Sequence, residues 1–158
     1  TPAKIKDAWA ARSSFLEAIK AQTNWDEGLE LLDECDVVVP LDQIATYVPY
    51  VYEVGDKYGF QVESFGHAGD GNLHIYILGD DKISMADFCK NADIFFDEIY
   101  AEASRVGGLV SGEHAIGHSK VKYLAESVGP TQMAIMKEIK QVFDPKMILN
   151  PGKVCYNL

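Results

Sequence analysis

The segment Gly66-His-Ala-Gly-Asp-Gly-Asn-Leu-His74 constrains this chain more than any other stretch. Asp-Gly between two strand-like runs is the strongest short hairpin signal, because a two-residue type I′ turn needs positive φ that Asp and Gly tolerate. With Asp70-Gly71 as the loop, Gly69 faces Asn72, Ala68 faces Leu73, and His67 faces His74. Directly opposed residues of an antiparallel pair hold their Cβ atoms about 4.5 to 5.5 Å apart, which lets two imidazoles converge on one ion. Residues seven apart on one straight strand point to opposite sides, so the turn makes the site.

Ser111-Gly-Glu-His114 follows downstream. His67, His74 and Glu113 together offer two nitrogens and one carboxylate oxygen, a set suited to Zn²⁺, Mn²⁺ or Fe²⁺ with positions left open for water or substrate. The plainer reading makes both histidines hydrogen-bonding residues at a hairpin end. Asp70 and Asn72 suit turn formation better than ligation, with Asn72 the one facing the site. Imidazole is the side chain suited to proton transfer near neutral pH, which makes His114 the candidate general base or acid. His114 and His118 would share a helical face if residues 115–122 were helical, which leaves a second metal pair as an alternative. The glycines do not spell a phosphate loop: Gly66, Gly69 and Gly71 miss the G-x-G-x-x-G spacing and precede a strand-like run, and Gly112 to Gly117 lacks Gly-Lys-Ser/Thr. No serine nucleophile elbow is present, and Cys89 has no evident partner base.

Around this segment the chain reads as α+β. Residues 4–21 carry Ile5, Ala8, Trp9, Phe15, Ala18 and Ile19 at helical spacing, and Glu27 to Leu32 adds a further helical turn. Asp36-Val-Val-Val-Pro40 is a strand ended by proline. Residues 42–58 return to helical periodicity through Ile44, Val48, Val51, Tyr52 and Gly55, with Asp42 as N-cap, Gly59 as stop and Pro49 as a kink. Residues 60–67 and 72–78 are the hairpin arms. A long helix over 84–106 starts at Ser84 with Asp87 in a capping-box-like position and stops at Gly107-Gly108. Leu109 to Ser111 reads as a short strand, and Pro130 opens a last helix to Val142. This is the ferredoxin-like order, an antiparallel sheet with helices on one face, plus extra N- and C-terminal helices. Residues 1–35 read as an N-terminal helical segment, and 36–158 as the ferredoxin-like core with its C-terminal segment.

The 158 residues suffice for one domain with a real core, at 47% hydrophobic content. A net charge of −10 repels nucleic acid and anionic lipid alike. A small anionic substrate would therefore need local positive charge from a metal, Arg12, His114 or Lys120. Cys35, Cys89 and Cys155 are odd in number and widely spaced, which argues for reduced thiols and a cytoplasmic protein. No apolar run is long enough for a transmembrane segment.

The segments 66–74, Ser111-Gly-Glu-His-Ala-Ile-Gly117, Phe143-Asp-Pro and Ile148-Leu-Asn-Pro-Gly-Lys-Val154 resemble, in order and spacing, the C-terminal domain of FAD-linked oxidases. That family includes glycolate oxidase flavin subunits, D-lactate dehydrogenases and D-2-hydroxyglutarate dehydrogenases. The resemblance implies the cap half of a flavoenzyme that passes hydride from C2 of a 2-hydroxy acid to FAD, the cofactor being held mainly by an N-terminal flavin domain absent here. It implies His67, His74 and Glu113 as metal ligands, His114 as the proton-abstracting histidine and Arg12 as the grip on the substrate carboxylate. It also implies that Asn150 and Lys153 belong to the segment that returns to the flavin domain. Ala115 replaces the family's usual glycine. The acidic pair Glu34 and Asp36 precedes the strand where some members, notably the hydroxyglutarate enzymes, carry a lysine, which weakens the case for a dicarboxylate substrate. On this reading the isolated chain is inactive, its partners being the flavin domain and an electron-transfer protein or a second copy. The rival class is a noncatalytic metal- or ligand-binding interaction domain.

Overall fold

A computed structural model describes residues 1–22, 35–79 and 83–155. The helical turn expected at Glu27 to Leu32, and Glu34, lie outside the described residues. Three strands, β1 (Cys35–Val38), β2 (Phe60–His67) and β3 (Asn72–Gly79), form an antiparallel sheet in the order β1-β3-β2. Among the described residues five α-helices accompany it: α1 (Pro2–Ser13), α2 (Phe15–Lys20), α3 (Ile44–Tyr58), α4 (Met85–Arg105) and α5 (Val121–Phe143). The fold is α+β, as the sequence implies.

Strand alternation sorts the sheet into two unlike faces. Cys35, Val37, Phe60, Val62, Leu73, Ile75 and Ile77 join the main core with Tyr47, Val51 and Val54 of α3 and Phe88, Phe95 and Ile99 of α4. The opposite face carries Asp36, Phe65, His67, Asn72 and His74, beyond which Tyr76 and Leu78 pack with Ile19 of α2. The buried stripe of α3 runs through Tyr47 and Val54, and Tyr52 is instead exposed enough to meet the Ser64 hydroxyl at 3.2 Å.

Several expectations need correction. The first helix is interrupted at Ser14, where the Ser13 and Ser14 hydroxyls donate back to the carbonyls of Trp9 and Ala11, both at 2.8 Å. Asp42 lies in a 3-10 turn, Leu41–Gln43, and Gln43 takes the N-cap of α3. The last helix already runs from Val121 and breaks at Gly129, so Pro130 restarts it. The fourth strand is reduced to one bridge, Val38 with Leu109, because the following amides turn away to a buried side chain described below. Gly59 ends α3 in the left-handed region, and Ser84 Oγ accepts from the Asp87 amide at 3.1 Å, both as expected.

Candidate metal centre

The hairpin is not the two-residue turn that Asp-Gly implies. His67 pairs with Asn72 and His74 with Phe65, which leaves Ala68 to Gly71 as the loop. Two interactions favour the longer loop: Asp70 Oδ1 accepts from the Asn72 amide at 3.1 Å, and Gly71, at φ +82°, receives the Val39 amide on its carbonyl at 3.0 Å. The histidines are thus diagonal neighbours, not opposed. The displacement is two residues, which preserves the face, and the rings stay together with centroids 5.5 Å apart.

Glu113 meets them from the loop after Leu109. Its Oε1 lies 3.2 Å from His67 Nε2 and 3.0 Å from His74 Nε2. Ligand atoms of His67, His74 and Glu113 all fall within 4.8 Å of one another. The Nε2 atoms that would give protons to Glu113 in the absence of a cation are the atoms that would ligate one, so the donor set fits a divalent ion. His74 is buried, and His67 and Glu113 are progressively more open, so the centre faces solvent on one side. The His74 ring packs against Phe65, with centroids 5.2 Å apart, and stacks on His114 at 4.7 Å. His114 Nε2 stands 3.6 Å from Glu113 Oε1. From α1, Arg12 Nη2 reaches within 3.5 Å of His67 Nε2.

Other anticipated residues lie elsewhere. Residues 115–120 are not helical and Ala115 has φ +61°, which removes the premise of a His114/His118 pair; Gly152 lies against the His118 ring instead. Asn150 and Lys153 line a cavity of about 420 Å³ with Met136, Ile139 and Lys140, apart from the imidazoles.

Asp36 departs furthest from its sequence-based expectation. It is fully buried on β1, opposite His74. Oδ2 accepts from Ser111 Oγ at 2.6 Å and from the amides of Gly112, Glu113 and His114 at 3.0, 3.1 and 2.8 Å. Oδ1 accepts from Asn72 Nδ2 at 2.5 Å. Burial opposes its ionisation, but the Ser111 hydroxyl, the His114 amide, the Asn72 carboxamide and the Glu113 amide outweigh it and hold the carboxyl well below the usual aspartate range. Asp36 is therefore not offered to a substrate, and its presence carries no argument against a dicarboxylate. Asn72, expected as a turn former, is a buried partner of Asp36 whose own Oδ1 has no hydrogen-bond partner among the described residues. Lys120 Nζ lies 3.8 Å from Asp36 Oδ2, so its charge is directed inward.

Two imidazoles on one sheet face, a carboxylate from the loop after Leu109 and an arginine from α1 make a candidate metal site on an α+β domain, and the comparisons give its family. The chain belongs to the family of FAD linked oxidases, C-terminal domain, whose model matches residues 1–154. It is 55% identical over its full length to a D-lactate dehydrogenase of Anaerostipes hadrus, of which it covers 32%. It is 39% identical over 119 residues, 75% of the chain, to the glycolate oxidase subunit GlcD of Bacillus subtilis, covering 25% of that protein. A D-2-hydroxyglutarate dehydrogenase of Stutzerimonas stutzeri is 30% identical over 96% of the chain and 31% of its own length. The chain thus spans about a third or less of these relatives. No described helix is long and apolar enough to cross a membrane.

Proposed function

We propose that this chain is the substrate- and metal-binding domain of an FAD-dependent 2-hydroxy acid dehydrogenase of the D-lactate or glycolate type, cytoplasmic, with the flavin domain in the same polypeptide. The observation that carries the reading is Glu113 Oε1 lying 3.2 Å from one imidazole Nε2 and 3.0 Å from another. His67, His74 and Glu113 would hold Zn²⁺, Mn²⁺ or Fe²⁺. When bound, the cation supplies Lewis acidity toward a hydroxyl and carboxylate, and FAD supplies the hydride acceptor.

The chain's own residues bind and deprotonate. Arg12, the cationic side chain beside His67, grips the substrate carboxylate with its planar fork. The His114 side chain is partly exposed and stacked on buried His74, so its ring is both oriented and accessible to the hydroxyl proton. Asn150 and Lys153, in the segment that sets Gly152 against His118, contact the flavin half. Family membership and the names of the relatives support the reaction class; the donor set supports the metal.

The test is reduction of flavin in the complete polypeptide. D-lactate or glycolate is expected to bleach the flavin absorbance, and His114→Gln to slow that step by about 10²- to 10⁴-fold. Arg12→Lys is expected to raise KM more than it lowers kcat, through loss of the bidentate contact. Turnover of a 2-hydroxy acid by the isolated chain without flavin would overturn the reading.

A further inference from the structure

We propose that Asp36 is the positioning residue of this centre: one buried carboxylate oxygen fixes the direction in which Glu113 meets the imidazoles and His114 meets His74. The proposal rests on the metal-binding reading above. Three consecutive amides, those of Gly112, Glu113 and His114, converge on Asp36 Oδ2 together with the Ser111 hydroxyl. This stretch belongs to no helix or strand, so the carboxylate takes the place of a ladder as the anchor of its backbone. On the same strand pair, Asp36 stands opposite His74, with His74 Nδ1 4.0 Å from Oδ1. Close approach tightens the arrangement: a Cβ added at Gly112 would fall 2.2 Å from Asn72 Nδ2, the group that holds the other oxygen of Asp36.

A neutral amide cannot substitute. In Asp36→Asn the new carboxamide could turn its carbonyl toward the four loop donors, but its amino group would then confront the amino group of Asn72. Turning Asn72 to relieve this would set its oxygen against the Val37 carbonyl, which now accepts from Nδ2 at 3.2 Å. Either way Asn72 must move, and Gly112, packed against its carboxamide, moves and carries Glu113 with it.

The experiment is Co²⁺ titration of the 158-residue chain, read by the visible d–d bands, for the wild type, Asp36→Asn, Glu113→Gln and the double variant. Asp36→Asn is expected to weaken Co²⁺ binding by about 10- to 100-fold and to alter the band shape. Because Asp36 acts through Glu113, its effect in the Glu113→Gln background is expected to shrink to about threefold or less. Affinity of Asp36→Asn within about twofold of the wild type, or an undiminished penalty in the double variant, overturns the proposal while leaving the metal reading intact. A wild type that binds no Co²⁺, or whose binding ignores Glu113→Gln, overturns the metal reading and the proposal with it. Should Asp36→Asn fail to fold, Ser111→Ala removes one donor and keeps the carboxylate; it is expected to weaken Co²⁺ about threefold in the wild-type background and hardly at all beside Glu113→Gln. Unchanged affinity in Ser111→Ala is then the overturning result.

Discussion

Ala115 holds φ at +61°, where a β-carbon crowds the following carbonyl, directly after the Glu-His pair of the site. Ala115→Gly removes a cost of about 1 kcal/mol and adds freedom to the unfolded chain, so a net stabilisation of between zero and about 1 kcal/mol is expected from urea unfolding. A loss beyond about 0.5 kcal/mol would show that the alanine methyl makes a packing contribution. Asp36 gives the chain an acid limb. Its folded carboxyl sits below the unfolded value of about 3.9, so its contribution is present above that pH and drains away as pH falls below it. The unfolding free energy is expected to fall more steeply below about pH 4 in the wild type than in Asp36→Asn, and parallel curves would contradict this. His67, His74, Glu113 and His114 are legible in the sequence because they carry distinctive chemistry beside turn and strand signals. Asp36 is not, because its meaning lies in amides more than seventy residues downstream, a relation that local spacing cannot express.

The hairpin tolerates error in one respect only. Moving its register by two residues changes who faces whom but not which face the histidines occupy, so either loop length brings the same two rings together. A one-residue slip would bury them among the helices. Gly66 guards this register: a Cβ there would lie 2.2 Å from the Asn72 carbonyl oxygen. Gly66→Ala is expected to destabilise the chain by about 1 to 3 kcal/mol and to weaken metal binding by displacing His67. Unfolding at the wild-type midpoint with normal metal affinity would contradict the close approach. Long periodic helices are readable from sequence, since α4 presents Phe88, Ala92, Phe95, Ile99 and Ala103 inward as their spacing implies. The strand expected at 109–111 is lost to tertiary competition, its following amides being captured by Asp36 and not by a neighbouring strand.

The sheet thus divides the labour of the chain: hydrophobic packing under α3 and α4 on one face, polar chemistry on the other, with α1 and α2 bringing Arg12 across. No residue of α1 is buried, and the end of α5 exposes Ile139, Val142 and Phe143 together with Ile148 and Leu149. Val142 and Phe143 are 77% and 81% exposed, so replacing both with Lys, which suits the C-terminal end of a helix, is expected to change stability by less than about 0.5 kcal/mol in urea unfolding, and a larger loss would contradict their exposure. Zinc-edge X-ray absorption of the chain loaded with one equivalent of Zn²⁺ tests the centre most directly. The account requires two imidazole nitrogens at about 2.0 to 2.1 Å with oxygen completing the shell; sulfur at about 2.3 Å, or fewer than two imidazoles, would contradict it.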